Sequence, residues 1–151
     1  MFSSRADLIV NGCFLVTLLS APAATFTVKL ARQGQVELHR RLQTLLLVIC
    51  YVAVIALEIR IRMAGGSGGL LKGSVYAGTG ILRTVATAHI IGAVATYAIW
   101  GWLLFASRRT FRKALPGTFS KAHKRWGWAV LLGLWFTALS ATAVYWMVFV
   151  A

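Results

Sequence analysis

Residues 84–107 read TVATAHIIGAVATYAIWGWLLFAS, 24 residues without a charge between Arg83 and Arg108. At about 1.5 Å per helical residue, such a run is long enough for a hydrocarbon core of about 30 Å. A water-soluble helix would break this apolarity with a charged face. The stretch therefore reads as a transmembrane helix, and the rest of the chain conforms to it.

Three further runs flank it. Residues 8–28 lie between Asp7 and Lys29, residues 42–57 between Arg41 and Glu58, and residues 126–151 follow Arg125. The second run is short. It spans if long side chains at 58–61 snorkel at its end. The expectation is an all-α membrane protein, one four-helix bundle with spans at about 8–28, 40–61, 84–107 and 124–150. The small residues at 20–24 resemble a signal-peptidase site. Arg5 is offset by Asp7, however, and the apolar run continues to Val28. The first span is read as retained, with Pro22 inside it.

Charge sets the orientation. The chain has 16 Lys+Arg against 3 Asp+Glu. Eleven basic residues fall in the connections around 29–41 and 108–125, and five at the opposite ends of the spans. The basic side is expected to be cytoplasmic, with both termini outward in a bacterial inner membrane. The positive charge lies between apolar runs rather than on one soluble face, which argues against nucleic acid and for anionic lipid. Cys13 and Cys50 sit within apolar runs and are expected to be inert thiols. The glycine-rich stretch 63–82 is read either as a cover over the outer mouth or as a flexible linker.

His39-Arg40-Arg41 and His123-Lys124-Arg125 open the second and fourth spans. This hints at two helical hairpins related as a parallel repeat, in which Asn11 corresponds to His89. Two histidines at one depth on different helices can hold a haem iron from both faces. The competing reading places both among headgroups. His89 lies inside a span, on a stripe with Ala93, Tyr97 and Trp100, beside a small-residue edge of Ala88, Gly92 and Thr96. Buried ionisable residues in spans have partners or functions. Asn11, Cys13 and Glu58 are the candidate partners, and His89 with Cys13 and Glu58 could hold copper or another metal. The alternatives are a His–Asn or His–Glu hydrogen bond, and local pairing of Glu58 with Arg60 and Arg62. Trp100, Trp102, Trp126, Trp128, Tyr145 and Trp146 are assigned to an interfacial aromatic belt.

The sequence lacks CxxC, HExxH, Walker and GxSxG motifs. With three carboxylates, acid–base hydrolysis is not expected, and the chain is read as non-enzymatic.

From about Asn11 to Met147 the chain resembles the bacterial membrane family known as domain of unknown function 420. The resemblance rests on Asn11, HRRL from His39, GTGILRT at 78–84, HIIGAV from His89, AHKRWGW at 122–128 and VYWM from Val144. Members of that family carry histidines at the outer end of the second helix, where this chain reads Glu58-Ile59-Arg60-Ile61. Glu58 is then a substitute ligand, or the outer site is vestigial. The resemblance implies a role beside a respiratory haem–copper oxidase, as an assembly factor or small subunit handling haem or copper through His39, His89 and His123. A small b-type cytochrome with haem between His39 and His123 is the first alternative. A structural, lipid-binding subunit of a larger complex, or a homo-oligomer, is the second.

Overall fold

The computed structural model describes residues 6–110 and 119–151. Arg5, Arg112 and Lys113, counted above with the basic residues, lie outside the described residues. Four long helices carry the apolar runs: α1 (Leu8–Arg32), α2 (Val36–Met63), α4 (Gly80–Thr110) and α5 (Phe119–Tyr145). A short α3 (Ser67–Leu70) interrupts the glycine-rich connection, and α5 ends in a π-helical turn, Trp146–Val150. Each long helix is apolar and long enough to cross a membrane. The helices overrun the apolar runs because charged side chains can continue a helix among headgroups at little cost. The protein is an all-α, multi-pass membrane bundle.

Neighbouring helices form a ring: α1 packs on α2, α2 on α4, α4 on α5, and α5 on α1. Helices α2 and α5 therefore face each other across the bundle. The seam between α4 and α5 is tight because its residues are small. A methyl group built on Gly133 would collide with the side chain of Thr96, and one on Gly92 with the ring of Phe136. Close approach of this kind replaces the hydrophobic drive that lipid does not supply. Pro22 lies within α1 without ending it.

The core at mid-bundle runs from Ala21 and Ala24 through Leu47, Cys50, Tyr97 and Trp100 to Leu134 and Ala138. A second cluster seals the end where α1 begins and the π-helical turn finishes, the terminal end. There Val10 and Leu82 pack with Met147, Val148 and Phe149, and Leu71 and Tyr76 of the connection lie against them. The connection is held down by buried Ser74, whose hydroxyl donates to the Met147 carbonyl at 2.7 Å. Of the two readings of the glycine-rich stretch, the covering one describes this packing. Gly65 and Gly66, with φ of 82° and 90°, turn the chain out of α2 in a conformation other residues rarely adopt.

Asp7 caps α1 by accepting from the Val10 N–H at 3.0 Å, and it pairs with Arg60 of α2. Asn11 accepts from the Tyr145 hydroxyl at 2.5 Å, and Phe14 stacks on the Tyr145 ring at 4.3 Å. At this terminal end α1 is thus tied to α2 and α5, and the connection to the last helical turn. The opposite, basic end is built differently.

Candidate functional site

At the basic end a cavity of about 480 Å³ opens between the four helices. Helical periodicity explains what faces it. On α2, His39, Gln43, Leu47 and Cys50 fall on one stripe, and the last three are buried. On α5 the stripe is His123, Gly127, Val130 and Leu134. Both histidines line the same cavity, from helices that oppose each other across the bundle. Leu103 and Leu104 of α4, Val28 and Ala31 of α1, and Val130 and Leu131 of α5 give it mostly apolar walls. Gly127 leaves room, since nothing lies within 4 Å of where its Cβ would be.

Each histidine is oriented by the helix before it in its own hairpin. His39 Nδ1 lies 2.8 Å from the Thr27 carbonyl of α1. A carbonyl can only accept, so Nδ1 carries the proton. His123 Nδ1 lies 2.8 Å from Ser107 Oγ of α4. That hydroxyl donates to the Leu103 carbonyl at 2.6 Å, so it accepts from the imidazole. In each ring Nδ1 is thus the anchored donor, and Nε2 is the remaining ring nitrogen. Fixing a ring through one nitrogen so that the other can ligate is the usual support of a metal-binding histidine. The two anchors differ in kind, a backbone carbonyl for His39 and a side-chain hydroxyl for His123.

The floor is a buried polar chain. Thr27 Oγ1 donates to the Ala24 carbonyl at 2.8 Å and accepts from Gln43 Nε2 at 2.6 Å. Gln43 Oε1 accepts in turn from Trp100 Nε1 at 2.7 Å. Trp100 is 2% exposed. Its assignment to the interfacial belt is corrected: its indole N–H is satisfied inside by Gln43, so it need not reach water. Trp102, Trp126, Trp128 and Trp146 are exposed, whereas Tyr145, also assigned to the belt, is only partly exposed and donates to Asn11. The stripe through His89 and Tyr97 pointed to the inward position of Trp100. Gln43, four residues after His39, was detectable as a lone amide in an apolar run. Ser107 and Thr27 had no such signal, because hydroxyls in spans commonly bond their own helix.

His89 lies elsewhere. It is half-buried, and its Nδ1 is 2.9 Å from Ser140 Oγ of α5. Ser140 donates to the Phe136 carbonyl at 2.7 Å, so His89 Nδ1–H is the donor of the pair. The expected partners of His89 are corrected accordingly. Asn11 is taken by Tyr145. Cys13 donates from Sγ to the Ala53 carbonyl at 3.1 Å. Glu58 is exposed and pairs with Arg62 at 2.8 Å. Among the described residues no three of His, Cys, Asp or Glu gather as a metal-binding group, so His89, Glu58 and Cys13 form no such set. Both cysteines are free and buried.

Of the three histidines, then, the structure brings together His39 and His123 and sets His89 apart. In comparisons with known proteins, the chain matches no family model, no curated protein and no solved structure.

Proposed function

We propose that this protein holds a haem between His39 and His123 and serves a respiratory haem–copper complex as an accessory or assembly protein. The observation that carries the reading is the pair of imidazoles lining one apolar cavity from opposed helices, each held through Nδ1. The residues fit a tetrapyrrole better than copper. Leu103, Leu104, Val130 and Leu131 suit a flat apolar ring, and the lining offers copper neither thiolate nor carboxylate. A bound haem would supply a one-electron couple, or would itself be the cargo. His39 and His123 would bind the iron, and the apolar walls would exclude water from it. The respiratory setting, the bacterial inner membrane and the outward placement of both termini rest on the family resemblance and on the excess of basic residues at the cavity end.

The test is an oxidised-minus-reduced visible spectrum of protein purified in mild detergent, before and after loading with haem, with metal analysis of the same sample. A low-spin bis-imidazole band is expected, lost in His39→Ala or His123→Ala and kept in His89→Ala. Near-stoichiometric haem as isolated would favour the b-type cytochrome. Haem taken up only on loading, with oxidase activity lowered by deletion of the gene, would favour assembly. No band even after loading would sink the haem reading and leave a structural subunit.

A further inference from the structure

The cavity rim carries two cations, Arg32 of α1 and Lys124 of α5, both exposed and both lining the cavity. The chain has only three acidic side chains, Asp7, Glu37 and Glu58. Asp7 pairs with Arg60 and Glu58 with Arg62, at the terminal end. Glu37, at the basic end, accepts from Arg40 at 2.6 Å and from Arg41 at 2.8 Å. No carboxylate side chain is left for the rim. Two cations are thus held over apolar walls with no acidic side chain assigned to them.

Helix packing places this pair at the mouth. Farther into the bundle α1 and α5 touch where Trp135 Nε1 donates to Thr25 Oγ1 at 3.4 Å. One and two turns toward the basic end, Val28 and Arg32 face across the cavity toward Leu131, Trp128 and Lys124, on the same helical stripes. Polarity therefore changes along the cavity, from the apolar walls and Trp100 inside to Arg32 and Lys124 at the entrance.

We infer that the cavity is built for an amphipathic anion, with an apolar body inside and an acidic group gripped by Arg32 and Lys124. This rests on the cavity being the binding site. It adds that the ligand must bring the negative charge the protein lacks. A porphyrin with free propionates meets the requirement, and so does a long-chain carboxylic acid from the inner leaflet. Charge-assisted contacts of this kind are the strong ones, worth about tenfold or more in affinity each when partly desolvated.

The experiment uses the full chain in phosphatidylcholine nanodiscs, titrated with ferric protoporphyrin IX and, separately, with its uncharged dimethyl ester. The wild type is compared with the double variant Arg32→Gln, Lys124→Gln, whose positions are exposed and tolerate the change. The diacid should bind the wild type at least about tenfold tighter than the ester. The double variant should lose that preference while keeping the bis-imidazole band. An equal preference in wild type and variant would overturn the anion grip and leave the haem reading standing. If neither porphyrin binds, the haem reading falls, and spin-labelled stearic acid decides the inference. An immobilised signal that the double variant loses would support the grip on a lipid-derived acid. The same signal in both proteins, or none in either, would overturn it.

Discussion

The two ends of the bundle are made from the same four helices and reach opposite solutions. At the terminal end, the connection between α2 and α4 folds over the bundle, Ser74 ties it to Met147, and Tyr145 bridges to Asn11. At the basic end, the helices leave a cavity of about 480 Å³ between mostly apolar walls, with Gly127 adding room. A bundle filled at both ends would be more stable, since voids forfeit packing contacts. The open end also holds two fixed imidazoles and a buried glutamine. The contrast separates a packed end that ties the helices together from an end where they leave a cavity with two anchored histidines.

Five substitutions test that contrast. The largest effect is expected at the cavity floor. Trp100→Ala should cost about 3–5 kcal/mol of stability, because it removes a buried ring and leaves Gln43 Oε1 without its donor. Thermal unfolding in detergent would measure it, and a loss below about 1 kcal/mol would mean that the floor is not a packed element. Next come two glycines of one helix. Gly133→Ala drives a methyl group into Thr96 and should destabilise by about 1–3 kcal/mol. Gly127→Ala meets open space and should stabilise by up to about 1 kcal/mol, through helix propensity. Equal effects at both would remove the distinction between a close-packed seam and an open cavity.

Smaller effects belong to the terminal end. Ser74→Ala should cost about 1 kcal/mol and speed proteolysis or hydrogen exchange across residues 64–79, with no change at the cavity. The Val10 N–H and the Arg60 guanidinium hold the Asp7 carboxyl below its ordinary value of 3.8. Folding therefore favours the ionised form. Its contribution is complete above about pH 5 and is lost as the pH falls through the lowered native value. Asp7→Asn keeps a good helix cap but removes this titration, so its acid unfolding limb should be flatter than that of the wild type. With Asp7 partly exposed, the difference should stay under about 1 kcal/mol.

Much of this was legible in the sequence, and the reasons differ by residue. The four spans follow from apolar runs of sufficient length, because every backbone group of a membrane segment must be satisfied within its own helix. His39 and His123 were visible as matched openings of two spans, and the close α4–α5 seam was visible in Ala88, Gly92 and Thr96. Trp100 was misplaced, because a tryptophan near a helix end is as compatible with a headgroup as with a buried amide. The partners of His89 were misread for a related reason. Equal depth in the membrane says nothing about which helices are neighbours, and Asn11, Cys13 and Glu58 each had a nearer partner.

The sequence by itself determined that four helices form, where they begin and end to within about a turn, and which side is basic. These are properties of a chain in contact with solvent, lipid and its own backbone. The tertiary structure decided that α2 opposes α5, so that two histidines face one cavity. It also decided that Gln43 and Trp100 close its floor, and that Arg32 and Lys124 stand at its mouth. Those facts depend on the order of helices around the ring and on the rotation of each about its axis. Both are set by how small and large side chains interlock between helices, which no single run of residues encodes.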